Sequence, residues 1–377
     1  MILVLTQCFP PDQGGIETLM GGLVGALQDA GKSVYVLADH IRSKSARASA
    51  IHQDQIERFG GIRPLRRWLK RRRAATLLNQ GAVEAVIADS WKSLEALPDL
   101  SRLAKKIPVL ALAHGMEFPA RLSASKSRRI KQALQKASTI IPVSHFSAGL
   151  ARSYCENAQM VMIHPPLPQM PEADAPMRAD VSALLGAGSD APVLLTVSRL
   201  EPRKGIDQVI RSLPALIQDY PDLVYAVGGT GADRARLEGL AKDLGVAHHV
   251  RFLGFVPEAL KPALYEAADV FVMPVRREGD SVEGFGIVYL EAAYYGTPAL
   301  AGSDGGAVDA VLDEKTGLVV DGLDGNAITA QLHRLLGGGA LRARLGEAAK
   351  KRARSEFSWA YAVKTYLALC EKPVRGA

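Results

Sequence analysis

Short apolar runs alternate along the chain with longer stretches whose apolar positions recur every three or four residues. MILVL (1–5), SVYVLA (33–38), AVIA (85–88), VLALA (109–113) and TIIPV (139–143) predict strands, and 16–30 and 62–79 predict helices between them. The second half repeats the rhythm. VLLTVS (193–198), LVYAVG (223–228), VRFLG (250–254), DVFVMP (269–274) and TPALAG (297–302) predict strands, with helical spacing over 207–219, 233–244 and 258–267. Strands that alternate with helices build βαβ units, hence α/β parallel sheets covered on both faces. Two such series predict two Rossmann-like, doubly wound domains.

The stretch HPPLPQMPEADAP (164–176) holds five prolines, which continue neither a helix nor a central strand. It marks a boundary between a first domain at 1–166 and a second at 167–355. A final segment, 356–377, is expected to form a helix near 356–372 that crosses back to the first domain. The length of 377 residues suits two domains better than one.

Three cysteines lie far apart and form no Cys-x-x-Cys pair. They make neither a metal framework nor a disulfide framework, so a cytoplasmic location is expected. The start, MILVLTQ, has the wrong length and flanks for a signal peptide and reads as a buried strand. No apolar run reaches the 18 or so residues that a membrane span requires. Charge is unevenly placed. Residues 1–170 carry 23 Lys and Arg against 12 Asp and Glu, whereas the remainder carries 23 against 27. The first half is therefore the one suited to an anionic partner.

The richest chemistry lies in RREGDSVEGFGIVYLEAAYYG (276–296), where Glu283 and Glu291 stand eight residues apart around Gly284 and Gly286. A strand ends at VFVMP, a polar loop follows, and a helix pattern runs until Gly296 and Pro298 stop it. Glycines at such a turn let the backbone of Gly284, Phe285, Gly286 and Ile287 approach a ligand, and a helix start favours an anion. A carboxylate accepts hydrogen bonds from paired hydroxyls such as those of ribose or a sugar. A phosphate at the helix start with hydroxyls on either side describes a nucleotide sugar. An acid placed to suit the helix dipole would account for Glu283 alone. It leaves Glu291 unexplained on a helix otherwise built of Ala, Tyr, Leu and Val.

EGFGIVYLE resembles the paired-glutamate motif, E-x7-E, of retaining nucleotide-sugar glycosyltransferases of family 4 type with the GT-B fold. FPPDQGGIE (9–17) resembles their glycine-rich loop after the first strand, HGMEF (114–118) their acceptor-domain histidine motif, and VSRLEPRKG (197–205) their Arg/Lys diphosphate clamp. SDGGAVDAV (303–311) is similar to the segment that follows the paired glutamates. In wording and order the set is most similar to bacterial GDP-mannose-dependent α-mannosyltransferases of the phosphatidylinositol mannoside type. The resemblance implies two Rossmann-like domains facing across a cleft. It implies Arg199 and Lys204 on the donor diphosphate, Glu283 on sugar hydroxyls, Glu291 on the ribose and His114 near the transferred sugar. On the residues alone Arg203 is as good a phosphate ligand as Arg199; the family pattern selects Arg199 and Lys204. Gly14 and Gly15 would approach the diphosphate from the first domain, with Glu117 a further candidate beside His114. In VGGTGAD (227–233), Gly228, Gly229 and Gly231 would line the nucleotide cleft. A G-x-G-x-x-G frame from Gly229 fails at Arg234, which argues against NAD. Ser144 reads as a helix N-cap. The related mannosyltransferases often carry an acid where this chain has Cys8, which leaves acceptor identity open.

The chain holds no Asp-x-Asp pair. With Arg, Lys and a helix start on the diphosphate, no metal or other cofactor is expected. Two basic stretches mark the first domain: 62–78, with seven Arg or Lys around Ile62, Leu65, Trp68 and Leu69, and 125–138. A basic amphipathic helix with Trp at its border suits an anionic membrane surface, while a solvated face over a core stripe is the plainer alternative. Without interleaved aromatics or a known module, nucleic acid is not an expected partner.

These observations lead to a hexosyltransferase moving a sugar, expected to be mannose from GDP-mannose, to a lipid-linked or glycan acceptor. The enzyme alternatives are a UDP-sugar-dependent transferase on the same scaffold and a sugar phosphorylase, although phosphorylases of this fold are usually much longer. A non-catalytic, membrane-bound sugar-nucleotide-binding protein is the alternative outside enzymes. Lys204→Ala and Glu283→Ala are each expected to abolish activity without loss of folding.

Overall fold

The computed structural model describes residues 1–12, 14–40, 55–101, 106–118, 123–155, 158–188 and 190–372. Gln13, within the glycine-rich segment, and 373–377, at the end of the closing segment, fall outside them. The chain divides into two compact units, Met1–Pro168 with Ser358–Ala377, and Gln169–Phe357.

The first unit holds a parallel seven-stranded sheet. Its strands are β1 (Ile2–Leu5), β2 (Val34–Asp39), β3 (Ile56–Phe59), β4 (Ala85–Ala88), β5 (Val109–Ala113), β6 (Thr139–Pro142) and β7 (Gln159–Met160). They are arranged in the order β3-β2-β1-β4-β5-β6-β7. The second unit holds a parallel six-stranded sheet of β8 (Val193–Val197), β9 (Val224–Gly228), β10 (Val250–Gly254), β11 (Val270–Met273), β12 (Ala299–Gly302) and β13 (Gly317–Val320). Its order is β10-β9-β8-β11-β12-β13. Both orders reverse once, between β1 and β4 and between β8 and β11. Ligands of open α/β sheets bind beyond the carboxyl ends of strands at such a reversal.

The inner strands are buried on both faces, so they read as unbroken apolar runs. VLLTV in β8 and VLALA in β5 are buried at every position. The one polar residue in β8, Thr196, is satisfied by the Tyr225 hydroxyl at 2.8 Å. Leu194, Val209, Leu213, Tyr225 and Val272 lie in the core of the second unit, and Leu5, Val86, Leu94 and Ile140 in that of the first.

All ten expected strands are present. The expected helices near 16–30, 62–79, 207–219 and 233–244 are found at Gly15–Asp29, Arg63–Asn79, Ile206–Asp219 and Arg234–Asp243. Ser144 caps His145–Arg152 through a capping box with Ser147. The closing helix is Trp359–Glu371, which packs on Gly15–Asp29 within the first unit. The expected boundary segment, 164–176, ends inside a helix, Ala175–Leu185. Pro176 sits in its first turn, where the missing N–H costs nothing, and the Asp174 side chain accepts from Met177 N–H at 2.9 Å.

Candidate functional site

The loops that leave β8 and β11 meet at the strand-order reversal of the second unit. After β8 the chain makes a short turn, Pro202–Lys204, closed by Gly205 at φ 73°. A Cβ at Gly205 would run into the Pro274 carbonyl oxygen, so only glycine lets this loop lie against the end of β11. The Arg276 N–H donates to the Arg203 carbonyl at 2.9 Å, and the Arg276 guanidinium grips Asp207 with two bonds of 2.8 and 3.1 Å. Those bonds bring Arg203 and Lys204 under the loop that carries Glu283.

Glu283 Oε2 accepts from Arg203 Nη1 at 2.7 Å and from Lys204 Nζ. Arg203 and Lys204 are both buried. Arg203 Nε also donates to Glu201 at 2.9 Å, and Arg199 pairs with Glu201 at 2.7 Å. Arg199, Arg203 and Lys204 are therefore gathered with Glu201 and Glu283 at the strand ends, beside Arg276, which Asp207 and Glu278 flank. Burial alone would raise the Glu283 carboxyl, but Lys204 and Arg203 outweigh it and hold it at about 2. Burial pushes the Lys204 ammonium down, with Glu283 opposing. Glu283 is thus a fixed carboxylate and no proton donor near neutral pH.

The helix after Glu283 is Ile287–Tyr295, opened by Gly286 at φ 88° and closed by Gly296. Its buried face is Tyr289, Leu290, Ala292 and Ala293, which explains the apolar run. The Phe285 ring is in the core, its centroid 6.1 Å from that of Phe357, so only its backbone is available to a ligand. The segment after β12 completes the frame: the Gly306 N–H donates to the Glu283 carbonyl at 2.9 Å. Glu291 does not join this cluster. It accepts from the buried Tyr265 hydroxyl at 2.7 Å and lies 3.4 Å from Lys261.

Beside the cluster is an open cavity of about 320 Å³ lined by Arg199, Glu201, Thr230, Gly231 and Asp233 among others. Its size suits part of a nucleotide. The Arg199 side chain, paired with Glu201, is 69% exposed. Gly229 and Gly231 are small for a packing reason, because a Cβ on either would strike the carbonyl of Ser198 or Leu200.

Gly14, Gly15 and His114 belong to the first unit, as does Glu117. Gly14 and Gly15 stand at the start of the helix Gly15–Asp29. His114 follows β5, and its ring Nε2 lies 2.8 Å from the Asp89 carbonyl oxygen. Glu117 accepts the His114 backbone N–H at 2.8 Å.

The helix Arg63–Asn79 exposes Leu65 and Trp68, with Ile62 at its N-cap 73% exposed. The Arg72 guanidinium lies 5.7 Å from the Trp68 ring centroid. One of the seven cations is not on this surface: Lys70 is buried, pairs with Asp39 and donates to the Thr6 carbonyl at 2.6 Å. In the second basic stretch Arg129 is held by Glu95, and Lys136 by the carbonyls of Leu94 and Leu97. Among the described residues no helix is long and apolar enough to cross a membrane.

Residues 13–168 match the sequence family described as Glycosyltransferase Family 4, and 179–352 that described as Glycosyl transferases group 1. The protein shares its fold with sucrose-phosphate synthase from Thermosynechococcus elongatus (TM-score 0.78, 22% identity, 98% of both chains covered). It also shares it with HepE of Anabaena, solved in complex with UDP (TM-score 0.77, 19% identity, 97% and 98% covered). Two parallel, Rossmann-like sheets with these likenesses define a glycosyltransferase of the GT-B fold. In sequence the chain is 34% identical, over 95% of both chains, to the GDP-mannose-dependent alpha-(1-6)-phosphatidylinositol monomannoside mannosyltransferase of Mycolicibacterium smegmatis. It is 31% identical to the GDP-mannose-dependent monoacylated alpha-(1-6)-phosphatidylinositol monomannoside mannosyltransferase of Corynebacterium glutamicum, with 95% of this chain and 94% of the relative covered. The chain belongs to the group 1 and family 4 glycosyltransferases.

Proposed function

We propose that this glycosyltransferase is a retaining α-mannosyltransferase that takes its sugar from GDP-mannose. The observation that carries the donor site is the gathering of Arg199, Arg203 and Lys204 at the strand ends, with the exposed Arg199 lining an open cavity there. A diphosphate is an anion that these cations suit. As the bond from sugar C1 to phosphate oxygen breaks, its electron pair passes to the phosphate, and cations already in place stabilise that charge. Glu283 accepts from sugar hydroxyls, Glu291 from the ribose, and the glycines at the helix start let the backbone approach the phosphate. The acceptor oxygen bonds to C1 from the same face, and its proton goes to the departing phosphate, so no protein base is required. The mannose assignment rests on relatives named for GDP-mannose at 31–34% identity.

A thermal-shift panel tests the donor. GDP-mannose is expected to raise the melting temperature more than UDP-glucose, UDP-GlcNAc or phosphate; a larger shift with a UDP-sugar would reassign it. Because side chains hold the diphosphate in this reading, no divalent ion is needed. Donor affinity by isothermal titration is then expected to survive EDTA, and its collapse would refute that point.

The acceptor is assigned to the first unit as a lipid-linked or glycan hydroxyl. Ile62, Leu65 and Trp68, ringed by Arg63, Arg71 and Arg72, fit peripheral contact with the anionic inner face of a membrane. Vesicles rich in anionic lipid are expected to float the protein, neutral vesicles are not, and Trp68→Ala is expected to reduce flotation. Failure with both vesicle types would overturn the membrane assignment.

A further inference from the structure

At the carboxyl ends of β1, β4 and β5, one buried acid organises its surroundings without contacting a cation. Asp89 is 2% exposed. Its Oδ2 lies 2.7 Å from Thr6 Oγ1 and accepts the Gln7 N–H at 2.7 Å, and Ser90 Oγ donates to Oδ1 at 3.1 Å. The Asp89 N–H donates to the Leu5 carbonyl at 3.0 Å. The residue is thus pinned through both backbone and carboxylate, at the strand-order reversal of the first sheet. What remains is its carbonyl oxygen, 2.8 Å from His114 Nε2.

A carbonyl oxygen only accepts, so His114 Nε2 carries the hydrogen. In the neutral imidazole Nδ1 then holds a lone pair. Nδ1 has no hydrogen-bond partner among the described residues, and it is not one of their sealed, unpartnered polar atoms. The backbone on the other side is fixed as well, by the His114 N–H donated to Glu117 at 2.8 Å and by Gly115 at φ 106°.

We propose that His114 acts as a hydrogen-bond acceptor through Nδ1, toward a substrate hydroxyl, and that Asp89 is the positioning residue that imposes this polarity. A hydrogen bond donated from Nδ1 would need the opposite tautomer or a protonated ring. No proton is transferred: the hydroxyl keeps its hydrogen and its oxygen is aligned. The identity of the hydroxyl rests on the glycosyltransferase reading, but the tautomer does not.

Two experiments separate these parts. In the free protein labelled with ¹⁵N-histidine, the His114 resonances, assigned by their loss in His114→Gln, are expected to show the Nε2–H pattern. Asp89→Asn, which keeps an oxygen for the Gln7 N–H, is expected to retain that pattern, and Asp89→Ala to mix the tautomers. An Nδ1–H pattern in the unsubstituted protein would overturn the proposal whatever the activity. For activity, the side-chain oxygen of His114→Asn takes the place of Nδ1, whereas the amide nitrogen of His114→Gln takes the place of Nε2. His114→Asn is expected to keep about tenfold more turnover than His114→Gln. His114→Gln keeps the link to Asp89 and is expected to melt nearer the unsubstituted protein. Equal or greater turnover in His114→Gln would show that the link to Asp89, and not the Nδ1 lone pair, is what matters.

Discussion

Lys204→Ala is expected to lower turnover of nucleotide sugar by about 10²–10³-fold, the effect of removing one preorganised charge donor from a transition state. The fold is expected to stay intact, because Arg203 still neutralises Glu283 at 2.7 Å. Steady-state kinetics together with a thermal melt check both halves. The melting temperature stays within a few degrees while kcat falls. An alternative assignment, in which Lys204 only holds Glu283 in place, makes a different forecast: Glu283 remains held, and the loss is small.

Glu283→Ala carries the second large effect, and here the structure changes what the sequence suggested. Activity is expected to be lost, but so is stability, by about 3 kcal/mol, because two buried cations lose the carboxylate they share. Inorganic pyrophosphate is expected to recover part of that stability by occupying the vacated charge. The pH dependence has a definite sign. The folded carboxyl is held at about 2 against an ordinary 4.5, so the ionised group stabilises the native state fully above about 4.5. That contribution fades as pH falls toward 2. The stability lead of the unsubstituted protein over Glu283→Gln is therefore expected to be constant from pH 7 to 5 and to shrink between pH 4.5 and 2. A lead that grows on acidification would contradict the ion-pair assignment. Chemical denaturation at a series of pH values measures it.

The fold was legible because strands buried on both faces leave continuous apolar runs separated by helical spacing. Some of the elements that escaped lack that signal, although β13, GLVV, and the helix Gly325–Gly337 carry it. β3, IERF, sets two adjacent charges between apolar residues at a sheet edge; β7 is two residues long; and the helix Ala175–Leu185 hides behind a proline tolerated in its first turn. Within the site, the motif residues could be named, but their partners could not. Nothing in the spacing of SRLEPRKG shows that Arg203 and Lys204 point at Glu283 while Arg199 turns outward. That arrangement comes from Gly205 packing on Pro274 and from the Arg276–Asp207 pair, which join segments about 70 residues apart in sequence. Asp89 and Lys261 carry no motif at all. Each becomes visible only once the sheet places it beside His114 or Glu291. The basic helix shows the opposite error, since Lys70 counted as surface charge in the sequence and is buried beside Asp39.

The central claim is that the cations gathered around Glu283 serve a nucleotide-sugar donor. A donor-hydrolysis screen with the full chain tests it most directly, following release of nucleoside diphosphate from GDP-mannose, UDP-glucose and UDP-GlcNAc, each with Lys204→Ala as control. GDP release from GDP-mannose, above that from either UDP-sugar and lost in Lys204→Ala, is the expected result. Release that is undiminished in Lys204→Ala, or no release from any donor, would contradict the account.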